Sequence, residues 1–181
     1  RPGSVPGRNN RLAEDCWRHS ETNLADMLCA SPMTASSVAQ STTIVIFGAS
    51  GDLTRRKLIP SMCSLFCKGR LGPEVNIVGF ARSNISTEEY RNSLVEGMEA
   101  FEDFSPESEE WNEFTSCIHY YHGDVYSADD LASFEEVLQS IESPDEPANR
   151  LYYLALAPFL YEPAILNLGA SGMACAPGAW R

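Results

Sequence analysis

The stretch G-A-S-G-D-L at residues 48–53 decides how this chain folds. It follows directly on residues 42–47, which are β-branched or apolar throughout, as expected of a strand buried on both faces of a sheet. From residue 53 to residue 68 the apolar side chains recur at helical spacing, and Gly69 is well placed to end the helix. The sequence therefore predicts a buried strand, a glycine turn and an amphipathic helix in succession.

This turn has the features of a phosphate-binding loop. Gly48 permits a sharp turn off the strand, and Gly51 lets the backbone approach an anion closely. The free N–H groups and the positive dipole end of the following helix point toward the same anion. The spacing is not the G-x-G-x-x-G of the standard dinucleotide fingerprint, and a tight connection without a ligand is the alternative. The position of the turn between strand and helix favours the phosphate site.

The rest of the chain alternates strands with helices. Further strands are predicted at residues 74–80, 118–121 and 150–156, and helices at 129–141 and in a long acidic region that opens at Ser86. Such alternation predicts an α/β fold, a Rossmann-type doubly wound parallel sheet with helices on both faces. Pro60 lies inside the first helix and should kink it.

The four letters G-A-S-G recur at residues 169–172, but a helical segment precedes them instead of a strand. We predict that this copy is a helix-ending turn with no ligand. No closing element is predicted between it and Arg181.

Arg82 stands at the end of the second predicted strand, where dinucleotide-binding folds select their cofactor. An acidic residue there would bind a ribose 2′-hydroxyl, whereas arginine can hold a 2′-phosphate through charge-assisted hydrogen bonds. No Asp or Glu occurs between Val75 and Ser86. NADP is therefore favoured over NAD, and a solvated surface arginine is the alternative.

Charge and apolar patterning exclude several classes of protein. The net charge of −12 argues against a nucleic-acid partner, because neutralising phosphates requires broad positive surface. The longest apolar runs have strand length, far below the roughly 18 residues of a membrane span. We expect neither nucleic acid nor a membrane as a partner.

The six cysteines indicate a reduced, cytoplasmic setting, because they show neither C-x-x-C spacing nor the density of a disulfide scaffold. Cys63 and Cys67 are four residues apart and would share a helix face, which in principle permits metal ligation. We predict instead two small core residues, since no second ligand pair is visible, and we expect no metal site.

Four motifs resemble those of the glucose-6-phosphate dehydrogenases, in the same order along the chain. They occupy residues 48–60, 79–83, 121–125 and 150–158. The resemblance implies an NADP-dependent oxidoreductase that oxidises glucose 6-phosphate to 6-phosphogluconolactone, the first step of the oxidative pentose phosphate pathway. It also implies a homo-oligomer for the full-length protein.

The resemblance assigns roles to individual residues. In that family the first motif cradles the NADP pyrophosphate, the arginine matching Arg82 holds the 2′-phosphate, and the pair matching Asp124 and Val125 lies beside the adenosine. The tyrosine matching Tyr153 lines the cofactor cleft, and the lysine matching Lys57 reaches toward the substrate. Turn-forming, core or solvated roles are the alternatives. The motif residues predicted to bind the pyrophosphate are Gly48, Ala49, Ser50, Gly51, Asp52, Leu53, Thr54 and Arg55.

The chain also departs from the family pattern. Ala157 stands where the family commonly has a second proline, which leaves the loop conformation there open. The family's Glu-Lys-Pro-Phe-Gly motif and its Arg-Ile-Asp-His-Tyr-Leu-Gly-Lys-Glu segment, which carries the histidine base, do not occur. No catalytic residue is therefore assigned, and the three histidines, His19, His119 and His122, are not candidates for the base.

These departures define the expected domain organisation. We expect a tail at residues 1–41, of which 1–32 are upstream sequence or a transit peptide, and a cofactor-binding domain at 42–181 that is incomplete at its C-terminal end. The substrate domain is expected to be absent. The chain should then be inactive alone, and the alternative is a non-catalytic NADP-binding or sensing module.

Overall fold

The computed structural model describes residues 41–72, 74–98, 105–142, 148–176 and 178–181. The predicted tail, apart from Ser41, lies outside the described residues. Four strands form one sheet in which every neighbouring pair is parallel, in the order β3-β2-β1-β4. The strands are β1 (Thr42–Phe47), β2 (Val75–Ala81), β3 (Ile118–His122) and β4 (Asn149–Leu154).

Helices connect the strands. They are α1 (Ile59–Cys67), α2 (Thr87–Met98), α3 (Glu109–Ser116), α4 (Ala128–Ile141) and α5 (Tyr161–Ala170). In the acidic region after Ser86, where helix was predicted, the structure describes the two helices α2 and α3. Ser86 and Glu89 form a capping box at the start of α2, each side chain bonding the other's backbone N–H. Among the helices that the structure describes, none combines the length and apolar character of a bilayer span.

The sheet has a hydrophobic core on each face, because parallel strands alternate their side chains between two covering layers of helix. One core contains Ile44 and Ile46 of β1 and the apolar side chains of α1, α2 and α3. The other contains Val45 and Phe47 with residues of α4 and α5. The predicted doubly wound sheet with helices on both faces is confirmed, with strand bounds shifted by one or two residues.

Pro60 lies next to an irregular part of its helix, and the kink predicted there stays a prediction. It does not open a new helix, because helical residues run without a break from Asp52 through a π-helical turn into α1. The irregularity precedes it as a π-helical turn, Thr54–Leu58, in which the Ile59 N–H donates to the Thr54 carbonyl. The wider turn relieves the clash that a proline ring makes with the preceding carbonyls.

Cys63 and Cys67 differ in their surroundings, although both lie on α1. Cys63 is buried in the first core as predicted, and burial raises the pKa of its thiol to about 12. Cys67 is exposed, so its predicted place in the core is wrong. The described residues contain no group of three or more His, Cys, Asp or Glu side chains arranged to hold a metal ion.

A buried ion pair ties β4 to α4. Arg150, on β4, is 2% exposed, and its guanidinium forms two 2.8 Å hydrogen bonds with Glu142 and a further one with Glu135. Burial alone would lower the pKa of this guanidinium, but these hydrogen bonds hold it above its ordinary value. The charge is thus kept inside the fold by its partners.

The segment after α5 returns to the start of β4. The Arg150 N–H donates to the Trp180 carbonyl at 3.1 Å, and the Trp180 N–H donates to the Asn149 side chain at 3.0 Å. Met173 is buried in the second core, where its carbonyl accepts a 2.8 Å hydrogen bond from the Tyr152 hydroxyl. The sequence predicted no closing element here, and the structure instead shows an irregular segment packed on the sheet.

The second G-A-S-G copy is a helix-ending turn, as predicted. α5 ends at Ala170, and Gly172 has a φ of +78°, the left-handed conformation that glycine adopts after a helix.

Candidate functional site

A cleft of about 490 Å³ lies at the carboxyl ends of the strands. In open parallel sheets ligands bind at this edge, where the strand order reverses between the first strand and its two neighbours. Here the reversal falls at β1, which is flanked by β2 and β4. The lining residues are Gly48, Ser50, Gly51, Phe80, Ala81, Arg82, Ser83, Gly123, Asp124, Val125, Ala155, Leu156, Ala157 and Leu160.

The floor of the cleft is the glycine turn after β1. Gly48 has a φ of +84°, and a Cβ at this position would lie 2.3 Å from the Ala155 carbonyl oxygen. A Cβ on Gly51 would lie 3.0 Å from the Gly48 carbonyl oxygen. Both the space and the conformation at residue 48 therefore require glycine, because the turn packs closely against the backbone that follows β4.

The helix that follows the turn begins at Asp52 and contributes its N-terminus to the site. Thr54 is buried and its hydroxyl donates to the Gly48 carbonyl at 3.4 Å, which ties the helix to the turn. Ala49 is also buried, whereas Leu53 is about half exposed and the Asp52 carboxylate pairs with Arg56 at 2.7 Å. The unpaired N–H groups of a first helical turn are suited to binding an anion.

Arg82, at the end of β2, is the only positively charged residue among the lining residues, and it is exposed. Its neighbour Ser83 contacts the glycine turn, because the Ser83 hydroxyl donates to the Ser50 hydroxyl at 3.1 Å. Ser83 was not predicted as a site residue, although a hydroxyl beside an arginine at a strand end is a usable signal. Arg82 and the turn thus lie on adjoining walls of one cleft.

The end of β3 forms a third wall. Asp124 lines the cleft, but its carboxylate accepts a 3.0 Å hydrogen bond from the Tyr126 N–H and so shapes its own turn. Val125 lines the cleft and also belongs to the second core, and its carbonyl accepts a hydrogen bond from Asn167. For both residues the structural role and the predicted binding role are compatible.

The segment after β4 forms the remaining wall. Its lining residues, Ala155, Leu156, Ala157 and Leu160, were not predicted as site residues. Ala157 has φ −66° and ψ 146°, the conformation that a proline at this position would adopt. This conformation is the one favoured for a residue that precedes a proline, here Pro158.

Seven of the predicted residues lie outside the lining of this cleft: Ala49, Asp52, Leu53, Thr54, Arg55, Lys57 and Tyr153. Tyr153 is 38% exposed on β4, in register with Ile46. Arg55 and Lys57 line a separate hollow of about 390 Å³, where Arg55 pairs with Glu96 at 3.7 Å. Their predicted roles stay predictions. The two histidines that the structure describes, at positions 119 and 122, do not line the cleft either.

A parallel doubly wound sheet with a glycine turn at its first strand, an arginine at its second and a cleft across their ends defines a dinucleotide-binding domain.

Comparison with known proteins identifies the family. The sequence model of the family described as "Glucose-6-phosphate dehydrogenase, NAD binding domain" matches residues 45–181. The glucose-6-phosphate 1-dehydrogenase of Schizosaccharomyces pombe is 34% identical over 132 residues, covering 73% of this chain and 26% of the relative. That of Bacillus subtilis is 32% identical over 136 residues, covering 75% and 27%. The chain belongs to the glucose-6-phosphate dehydrogenase family, a family of oxidoreductases, and contains its nicotinamide cofactor-binding domain.

Solved structures support the same family assignment. A glucose-6-phosphate dehydrogenase in complex with its substrate glucose 6-phosphate superposes with a TM-score of 0.68 at 30% identity, covering 77% of this chain and 29% of that one. The enzyme of Mycobacterium avium gives a TM-score of 0.61 at 26% identity. The chain spans about a quarter of the length of the relatives that it matches.

Proposed function

We propose that this chain is the NADP-binding part of a dehydrogenase that oxidises glucose 6-phosphate to 6-phosphogluconolactone, with NADP accepting the hydride. The observation that carries the proposal is the adjacency of Arg82 to the glycine turn in one cleft. A cofactor whose pyrophosphate lies on that turn places its adenosine ribose toward the end of the second strand, where a guanidinium favours a 2′-phosphate.

The cleft suits both anionic groups of this cofactor, the pyrophosphate and the 2′-phosphate. The turn at Gly48 and Gly51 has no side chain to block the pyrophosphate, and the N-terminus of the following helix faces the same anion. For the 2′-phosphate, the second strand and its end supply Arg82 and no acidic residue, since residues 75–85 contain no Asp or Glu. Asp124 and Val125 would border the adenosine, and when bound the nicotinamide would supply the hydride acceptor.

Binding of the sugar and catalysis belong to the whole enzyme. Within this chain the resemblance gives Tyr153 a place along the cofactor and Lys57 a place toward the sugar. The histidine base is not among the residues of the chain, so we propose that the chain alone turns over little or no glucose 6-phosphate. A homo-oligomer and a place in the pentose phosphate pathway also belong to this proposal. So does a cytoplasmic setting, which is the setting named for an Arabidopsis thaliana relative.

Replacing Arg82 with alanine tests the cofactor assignment. We expect Arg82→Ala to weaken NADP binding on the order of ten- to a hundredfold and to leave NAD nearly unchanged, because a charge-assisted hydrogen bond is worth about 1.5 to 3 kcal/mol and only NADP carries the 2′-phosphate. Isothermal titration of the purified chain with each cofactor measures both dissociation constants.

Arg70→Ala is the matched control, since Arg70 is an exposed arginine that does not line the cleft. It should leave both affinities unchanged. Equal weakening of NADP and NAD by Arg82→Ala would show that this arginine supports the fold or binds the pyrophosphate. No weakening would show that it is a solvated surface residue without a role in binding.

A further inference from the structure

Two tyrosines lie behind the walls of the cofactor cleft, on the face of the sheet that α1 and α2 cover. Tyr90 on α2 is 1% exposed and Tyr120 on β3 is 9% exposed. Their rings contact each other, with centroids 4.7 Å apart and planes inclined by 32°. Neither ring lines the cleft, and the resemblance of sequence motifs gives neither a role.

Tyr90 bonds the glycine turn. Its hydroxyl donates to the Ala49 carbonyl at 3.2 Å, and Ala49 lies between Gly48 and Ser50. Burial raises the pKa of this phenol above its ordinary value, so the hydroxyl keeps its proton and remains a donor at neutral pH.

Tyr120 bonds the backbone on both sides of Arg82. Its hydroxyl lies 2.7 Å from the Ser83 carbonyl oxygen and 3.2 Å from that of Ala81. A phenol has a single proton to donate, so the two carbonyls share it in a three-centre arrangement. These two hydrogen bonds hold the backbone on both sides of Arg82, which is exposed and lines the cleft.

Gly79 on β2 makes this arrangement close-packed. A Cβ at this position would lie 2.7 Å from the Ala49 Cβ and 3.3 Å from both tyrosine rings. Around Gly79 the packing is therefore close. It joins the glycine turn, the two tyrosine rings and the strand that leads to Arg82. A shift of either tyrosine would be transmitted to the turn or to the arginine.

We propose that Tyr120 is a positioning residue for the 2′-phosphate site. Tyr90 holds Tyr120 in a fixed position relative to the glycine turn. Tyr120 sets the direction in which the Arg82 guanidinium leaves the backbone, and so contributes to the preference for NADP over NAD. This inference rests on the proposed function, because it takes the cleft to bind NADP through Arg82.

The test removes one hydroxyl at a time and keeps the rings. We expect Tyr120→Phe to weaken NADP about three- to tenfold and NAD less than about twofold, in isothermal titrations of the purified chain, because one hydrogen bond that orients Arg82 is lost. Tyr90→Phe should weaken both cofactors alike, since Ala49 belongs to the turn beneath the pyrophosphate that they share. Tyr152→Phe is the matched control, because that hydroxyl donates to Met173 away from the cleft.

A double-mutant cycle separates positioning from general support of the fold. In the Arg82→Ala background, Tyr120→Phe should change NADP binding no more than it changes NAD binding, because no guanidinium remains to be oriented. A loss of NADP affinity by Tyr120→Phe that is the same with and without Arg82 would overturn the inference. Thermal unfolding of each variant checks that the domain is folded, and if Tyr120→Phe does not fold, unchanged cofactor binding in Tyr90→Phe would overturn the inference instead.

The proposed function and this inference fail in different ways. A wild-type chain without a preference for NADP, or one whose preference survives Arg82→Ala, would contradict the proposed function. A wild-type preference that Arg82→Ala abolishes and Tyr120→Phe leaves intact would contradict only the role of Tyr120.

Discussion

His119 on β3 shows how the fold changes the chemistry of a single residue. It is half-buried, and burial together with the nearby Arg91 guanidinium lowers the pKa of its imidazole below the ordinary value. Arg91 is held in place by donating to the Ile118 carbonyl at 2.8 Å. The fold therefore favours the neutral form of the ring, because a charged imidazole there would be partly buried beside a second positive charge.

This shift predicts a dependence of stability on pH. A histidine whose pKa is lower in the folded chain binds fewer protons there, so stability is complete above the unfolded pKa of about 6.5 and falls as pH drops below it. We expect the free energy of unfolding to decline from pH 7.5 to pH 5.5, and His119→Gln to reduce that decline. Urea unfolding at the two pH values measures it.

His122→Gln is the control, because it removes an exposed histidine from the same strand. A decline that is the same in His119→Gln and in the wild type would show that other groups govern the acid sensitivity of the domain.

At the scale of elements, the approach of α2 to the π-helical turn depends on Gly97. A Cβ at this position would lie 2.1 Å from the Arg55 carbonyl oxygen, which belongs to the backbone and cannot rotate away. The π-helical turn thus packs directly against the backbone of α2. Because this turn joins the glycine loop to α1, the packing at Gly97 also supports the floor of the cleft.

Gly97→Ala should therefore destabilise the domain, by about 1 to 3 kcal/mol or more, because overpacking forces the backbone to move. Gly169→Ala in α5 is a matched control, since a Cβ there meets nothing within 4 Å. Replacing a glycine in open helical space should be neutral or should stabilise by up to about 1 kcal/mol. Urea unfolding of both variants decides the point, and equal effects would show that the contact at Gly97 is not rigid.

At the scale of the whole molecule, the chain contains the cleft at the strand ends and spans about a quarter of the length of its relatives. Hydride transfer from a sugar requires a base on the reacting hydroxyl and a substrate held against the nicotinamide. Neither described histidine lines the cleft, and the segment with the family's histidine base does not occur in the sequence.

We expect the purified chain to reduce NADP with glucose 6-phosphate at least about a hundredfold more slowly than a complete enzyme, since loss of a catalytic base alone costs that much. Absorbance of NADPH measures the rate, with the Schizosaccharomyces pombe enzyme assayed in parallel. Turnover near the roughly 10 per second of a typical enzyme would contradict the prediction.

The sequence by itself determined the layout of the domain, and its candidate site residues stay predictions. The strands, the turn at Gly48 and the position of Arg82 depend on apolar runs, glycine spacing and strand ends, which are local properties of the chain. The parallel sheet followed from their alternation, because such connections leave few topologies.

Only the tertiary structure decided how distant segments meet. Residues that are more than 30 positions apart in sequence form the contacts between Ser50 and Ser83 and between Tyr120 and Ala81. Local sequence patterns do not predict such contacts, since hydroxyls and aromatic rings are common in any core or loop. The same holds for the exposure of Cys67 and the turn-forming carboxylate of Asp124, which depend on the packing of neighbouring elements and not on spacing along the chain.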